Sequence, residues 1–136
     1  LRGASMSLQQ EVFRACVSLA EQMHLPLVVH AVKCTEELFR IHKELKPQMP
    51  WIIHGFRGRK EVAEQYLKRG FYLSFGEHFH DEALRSTLLD RLLLETDESR
   101  LSMEEICRKA ASVYGLPAEI LAARITSNAQ KVLFLQ

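Results

Sequence analysis

Four short apolar runs that do not alternate with polar residues recur along the chain, and they limit its possible folds more than any other feature. They are Leu27-Val28-Val29, Trp51-Ile52-Ile53, the stretch from Phe71 to Phe75, and Leu92-Leu93-Leu94, spaced about 20 to 25 residues apart. A strand with one wet face alternates apolar and polar side chains. An unalternating run bounded by turn residues is a strand covered on both faces. Strands of that kind pair in parallel, and parallel pairing requires a crossover of roughly a dozen residues or more, usually a helix.

The segments between the runs have the length and the period of such crossovers. Val12, Cys16, Leu19 and Met23 recur at helical spacing and predict a helix from about Leu8 to His24, which Pro26 stops. Leu38, Phe39, His42 and Leu45 line one face of a second helix after Thr35. Val62, Ala63, Tyr66 and Leu67 do the same for a third, from Lys60 to Arg69, closed by Gly70. Ser102 and Glu105 form a capping box before a helix that ends at Gly115. Pro117 opens the last long helix, which is expected to give way at Thr126-Ser127-Asn128 to a short apolar tail. Repetition of strand and helix in this order makes an α/β fold with a parallel sheet. Four consecutive units suit half of a (β/α)8 TIM-type barrel, whose full length is about 250 residues. A small, open, doubly wound sheet is the competing architecture.

Composition narrows the function classes. The 136 residues suffice for one domain with a core, and a net charge of +1 exerts no global pull toward nucleic acid or a membrane. Any phosphate binding must therefore come from a local patch. The three cysteines include no CxxC pair, which suits a reducing, cytoplasmic setting better than a disulfide framework. No apolar run approaches the roughly 18 residues of a membrane span, so no membrane association is expected. The chain opens on Leu1-Arg2-Gly3, like a loop entered midway, and is expected to be a piece of a longer one.

The residues fit for chemistry cluster at one end of the strands. His30, His54 and Asp97 each fall at a strand's C-terminal end, where parallel α/β folds place their sites. One such histidine is commonly a hydrogen-bonded structural residue; two histidines and an aspartate in matching positions point to a divalent metal site. Glu95 precedes Asp97 by two residues and so points the same way, either orienting a metal ligand or pairing with an arginine. Arg57, Arg59 and Lys60 sit beside Gly55 and Gly58 at a helix start, an arrangement that favours phosphate, although a solvated helix start explains the same charges. His24 and His42 lie on helices as structural residues, and His78-Phe79-His80 is expected in a surface loop.

Four stretches, in order, carry a resemblance: Leu27-Val28-Val29-His30, Ile52-Ile53-His54-Gly55-Phe56-Arg57-Gly58, Leu94-Glu95-Thr96-Asp97, and Thr126-Ser127-Asn128-Ala129-Gln130-Lys131-Val132-Leu133-Phe134. They resemble the signatures of the TatD family, metal-dependent deoxyribonucleases among the amidohydrolase-like (β/α)8 barrels. The resemblance implies that His30 and His54 are metal ligands from the fifth and sixth barrel strands. It makes Asp97, from the eighth, both a ligand and the catalytic residue that positions or deprotonates the attacking water. It implies two divalent ions, of zinc, manganese or magnesium, and a DNA or smaller phosphodiester substrate. Lys33 and Arg57 become substrate-binding candidates; Lys33 adjoins Val32, which stands where the family often has arginine.

The family's first-strand His-x-His pair and fourth-strand glutamate have no counterpart before Leu1. Residues 1–136 are thus expected to be a single TatD-like hydrolase domain that supplies strands five to eight and lacks the first half of the barrel. Upstream residues would supply the missing ligands. Arg57 and Glu98-Ser99 depart from the family pattern and bear on substrate choice. Two alternatives stand beside phosphodiester hydrolysis: a related barrel hydrolase acting on a small ester, amide or lactone, and a non-catalytic half-barrel that binds a partner through its sheet edges.

Overall fold

In the computed structural model, which describes residues 6–30, 35–97 and 99–133, the four apolar runs pair side by side in chain order. They form β1 (Leu27–Val29), β2 (Trp51–Ile53), β3 (Tyr72–Phe75) and β4 (Leu92–Leu94). Every pairing is parallel, with Val28 opposite Ile52, Ile52 opposite Tyr72, and Leu73 opposite Leu92. A doubly wound sheet reverses its strand order at a switch point. An order of β1-β2-β3-β4 without reversal is the winding of a barrel wall, so the open-sheet alternative falls away.

The two faces of the sheet have different fates. Trp51, Ile53, Phe71, Leu73, Phe75, Leu92 and Leu94 join the helix-covered core. The covering helices are α1 (Met6–Met23), α2 (Thr35–Leu45), α3 (Lys60–Lys68), α4 (Asp81–Ser86), α5 (Met103–Tyr114) and α6 (Ala118–Leu133). Aromatic rings dominate the α2–α3 side: Phe39 meets Tyr66 edge-on at 4.8 Å, and Tyr66 meets Phe71 at 5.1 Å. Such contacts add about 0.5–1.5 kcal/mol per pair beyond area burial. Because strand side chains alternate in direction, the opposite, inner face carries Val28, Ile52, Tyr72 and Leu93. Val28 is 54% exposed there, whereas Ile52, Tyr72 and Leu93 cluster with Val132 of α6.

The last two helices fix the bottom of this wall. Ser102 starts α5 as a capping box, its hydroxyl accepting from the Glu105 amide at 3.1 Å while Glu105 Oε1 accepts from the Ser102 amide at 3.0 Å. Gly115 ends the helix at φ +70°, a conformation in which a Cβ is strained. The expected break at Thr126-Ser127-Asn128 does not occur, because α6 runs through it to Leu133. Asn128 is fully buried and donates from Nδ2 to the carbonyls of Leu89, at 2.6 Å, and Leu92, at 2.8 Å. Those carbonyls lie at the entrance to β4, so a polar residue in mid-helix serves the neighbouring strand instead of capping its own helix. With Val132 packed on Ile52 and Tyr72, α6 covers the lower inner face and leaves the upper end of the strands free.

Candidate metal centre

Two residues beyond the inner-face apolar positions, the side chains turn polar. Continuing the alternation from Val28, Ile52, Tyr72 and Leu93 leads to His30, His54, Ser74 and Glu95, and two residues further to Asp97. A layer of imidazole, hydroxyl and carboxylate therefore sits directly above an apolar one. His54 is its centre. Its Nδ1 lies 2.8 Å from Glu95 Oε2 and its Nε2 lies 3.0 Å from Asp97 Oδ2. Ligand atoms of His54, Glu95 and Asp97 all lie within 4.8 Å of one another. The ring of His30 packs edge-on against His54, centroids 4.5 Å apart, so His30 borders this trio.

Glu95 is held on three sides. Its Oε2 accepts from Ser74 Oγ at 2.6 Å and from the Gly55 amide at 3.1 Å, as well as facing His54. The chain can approach this closely because Gly55 takes φ +65°, and a Cβ there would come within 3.4 Å of Glu95 Oε1. A carboxylate so engaged is a fixed acceptor for the Nδ1–H of His54. A neutral imidazole has one N–H and one lone pair, and the hydrogen bond at Nδ1 leaves the lone pair on Nε2. That lone pair faces the Asp97 oxygen. A second proton or a shared cation satisfies the pair. Two donors about 2.1 Å from one ion, at angles between square and tetrahedral, lie about 3.0–3.4 Å apart. The spacing and the donor chemistry fit a divalent cation between His54 and Asp97, with Glu95 behind the histidine as its orienting carboxylate.

The trio is graded in exposure: the side chain of Glu95 is 13% exposed, His54 22% and Asp97 58%. It opens into a cleft of about 660 Å³, whose lining includes His30, Arg57, Glu77, His78 and Ser99. Arg57 thus reaches the cleft. Arg59 and Lys60 do not; they border a separate hollow with Glu61, Asp81 and Glu82. Of the anticipated basic cluster, one arginine lines the cleft, while Arg59 and Lys60 border a different hollow. Lys33 lies outside the described residues, as do Val32 and Glu98. His78 and His80 are exposed loop residues, as anticipated.

The residues that sequence reasoning missed are those that hold Glu95. Ser74 carried a signal, being the one small polar residue in the otherwise aromatic and aliphatic stretch from Phe71 to Phe75. Its parity with Tyr72 puts it on the inner face. The Gly55 amide left no such trace.

Comparison with known proteins places this geometry in context. The profile of the TatD related DNase family matches residues 2–134. The chain is 38% identical over 98 residues to the uncharacterized metal-dependent hydrolase YabD of Bacillus subtilis, covering 66% of this chain and 38% of that protein. It is 34% identical over 100 residues to the uncharacterized metal-dependent hydrolase MJ1582 of Methanocaldococcus jannaschii, covering 69% of this chain and 39% of that one. Among solved structures, a TatD family hydrolase from Entamoeba histolytica superposes on the whole chain with a TM-score of 0.84, at 17% identity and over 60% of its own length. That likeness is one of fold. The chain spans less than two thirds of the length of each of these proteins.

Proposed function

The chain belongs to the TatD family of related DNases, and on that premise we propose that it carries part of the active site of a metal-dependent hydrolase that cleaves phosphodiester bonds, with DNA as the substrate class. The relay Glu95–His54–Asp97 at the mouth of a partial barrel is the observation that carries this reading. Its residues divide the work. His54 and Asp97 would hold the cation, and His30, whose ring packs edge-on against His54, would stand beside them as a further imidazole donor. Glu95 holds the histidine's tautomer and ring plane. Arg57, at the cleft wall, offers a planar fork of N–H donors to a phosphate oxygen.

Bound divalent metal supplies Lewis acidity toward the phosphoryl oxygens and lowers the cost of deprotonating water. Asp97 is exposed enough to meet that water, and its second oxygen accepts the proton as attack begins. The guanidinium of Arg57 then offsets charge gathering on the phosphoryl oxygens. Residues 1–136 form one domain in this reading, the second half of the barrel. A second ion would draw its remaining ligands from a first half-barrel.

The test compares substrates and metal. The purified full-length polypeptide is assayed on plasmid DNA, on a chromogenic phosphate diester and on a chromogenic carboxylic ester, with manganese, with zinc and with chelator. Cleavage of both phosphodiesters, lost with chelator and regained with metal, supports the proposal. Hydrolysis confined to the carboxylic ester overturns it in favour of a small-ester hydrolase.

A further inference from the structure

A second hollow opens beside the metal cleft. It is lined by Arg57, His78, Phe79, His80 and Lys109, and it shares Arg57 and His78 with the cleft itself. Three separate elements build it: the loop after β2, the loop between β3 and α4, and the outer face of α5. No carboxylate lines it. Lys109 is held in place by two contacts, with its ammonium 4.7 Å from the centre of the Phe79 ring and one N–H given to the Glu77 carbonyl. An ammonium has three donors, so two remain for a ligand. Phe79 itself is braced edge-on against Phe75, which is fully buried, at 6.1 Å. The hollow is therefore an apolar floor rimmed by two permanent cations and two imidazoles.

The nearby carboxylates stand outside the lining, engaged with other groups or across His80, which borders both this hollow and the next. Glu77 accepts from Ser99 Oγ at 2.8 Å and lies 3.8 Å from His78 Nε2. Asp81 and Glu82 border the separate hollow that holds Arg59 and Lys60. Cations around an aromatic floor make a surface suited to a single nucleic-acid strand, whose phosphates take the charges while a base covers the ring.

We infer that this hollow is a second, metal-free phosphate subsite. It takes a phosphate neighbouring the scissile one on a single strand, with Arg57 between the two positions and Lys109 and His80 beyond it. The inference rests on the phosphodiesterase reading of the cleft and adds to it a second contact point on the same strand.

The test uses two charge removals on adjacent positions of α5. Lys109→Gln removes the subsite cation. Arg108→Gln removes an equal charge that is paired with Glu104 and lies outside the hollow. Binding of a fluorescent single-stranded oligodeoxynucleotide to the full chain is measured in chelator over a range of salt, so no turnover is required. Lys109→Gln should weaken binding about tenfold, and the log–log salt slope should become shallower by about 0.7, the value for one phosphate contact on a single strand. Arg108→Gln should change affinity less than twofold. His80→Asn, which keeps a polar side chain of similar reach, should weaken binding in the same direction as Lys109→Gln. Equal losses in Lys109→Gln and Arg108→Gln, or no loss in Lys109→Gln, would overturn the subsite. Metal-dependent cleavage of the chromogenic diester is followed in parallel on the unaltered, barrel-complete polypeptide. Cleavage with no Lys109 effect rejects the subsite and keeps the hydrolase; a Lys109 effect without cleavage keeps strand binding at the hollow but overturns the hydrolase reading, and with it the place beside a scissile phosphate.

Discussion

His54 stands between two carboxylates that do different things. Glu95 is pinned by Ser74 and the Gly55 amide and fixes one nitrogen, while Asp97 is exposed and faces the other. Asp97→Asn keeps the shape and removes the charge that, in the proposed mechanism, binds metal and accepts the proton. It should lower kcat by about a hundredfold or more with little change in KM, and steady-state kinetics on the chromogenic diester reads this directly. Glu95→Gln can present a donor where His54 needs an acceptor. It should weaken metal affinity by about 10–100-fold, as measured by titration with a competing chelator, while the far-ultraviolet circular dichroism stays unchanged. At this scale the sequence was informative about position and poor about partnership. His54 and Asp97 could be placed because a strand's end is written in its own apolar run. The grip on Glu95 could not, because Ser74 and Gly55 reach it from other strands, and nothing local encodes that meeting.

Among the elements, α6 and α2 carry the clearest consequences. Asn128 looked like a helix end because Thr-Ser-Asn is turn-prone, yet burial against Leu89 and Leu92 outweighs that preference. Asn128→Ala would strip two buried carbonyls of their donor, although Asn128 Oδ1 itself has no partner among the described residues. Loss of the donors should cost about 2 kcal/mol, read as a lower urea midpoint with an unchanged m-value. The boundaries of the strands and of α2, α3 and α5 were legible because their caps and periods are local. The continuation of α6 depended on what it packs against.

In α2, His42 lies between the rings of Trp51 and Phe71, 4.7 and 4.6 Å away. Burial, and secondarily the charge of Arg69, lower its pKa below 6.5. Above that value the group is neutral whether folded or unfolded. As pH falls below it, the unfolded chain takes up the proton first, and stability is lost until the folded group titrates as well. Denaturant titrations at about pH 7.5 and pH 5 should show this loss, and His42→Leu should reduce it.

Among the described residues the sheet is a wall that ends at β1 and β4, with an inner face on which Val28 is still exposed. A closed barrel leaves no strand edge and fills its interior with layers of side chains from alternate strands. That winding was legible from the spacing of four apolar runs, whereas the layer above it appeared only once the register was known. Residues 1–136 alone should therefore take up metal weakly and cleave DNA poorly. The preceding half of the barrel, supplied in the same chain or as a separate one, should restore both together, as read by elemental analysis and plasmid cleavage.

The most direct measurement is an anomalous difference map from crystals of the barrel-complete protein grown with manganese. It should show a peak about 2.0–2.3 Å from both His54 Nε2 and Asp97 Oδ2, with Glu95 still bonded to Nδ1. Ordered His54 and Asp97 side chains with no peak between them, at saturating manganese, would contradict the assignment of a metal to this site.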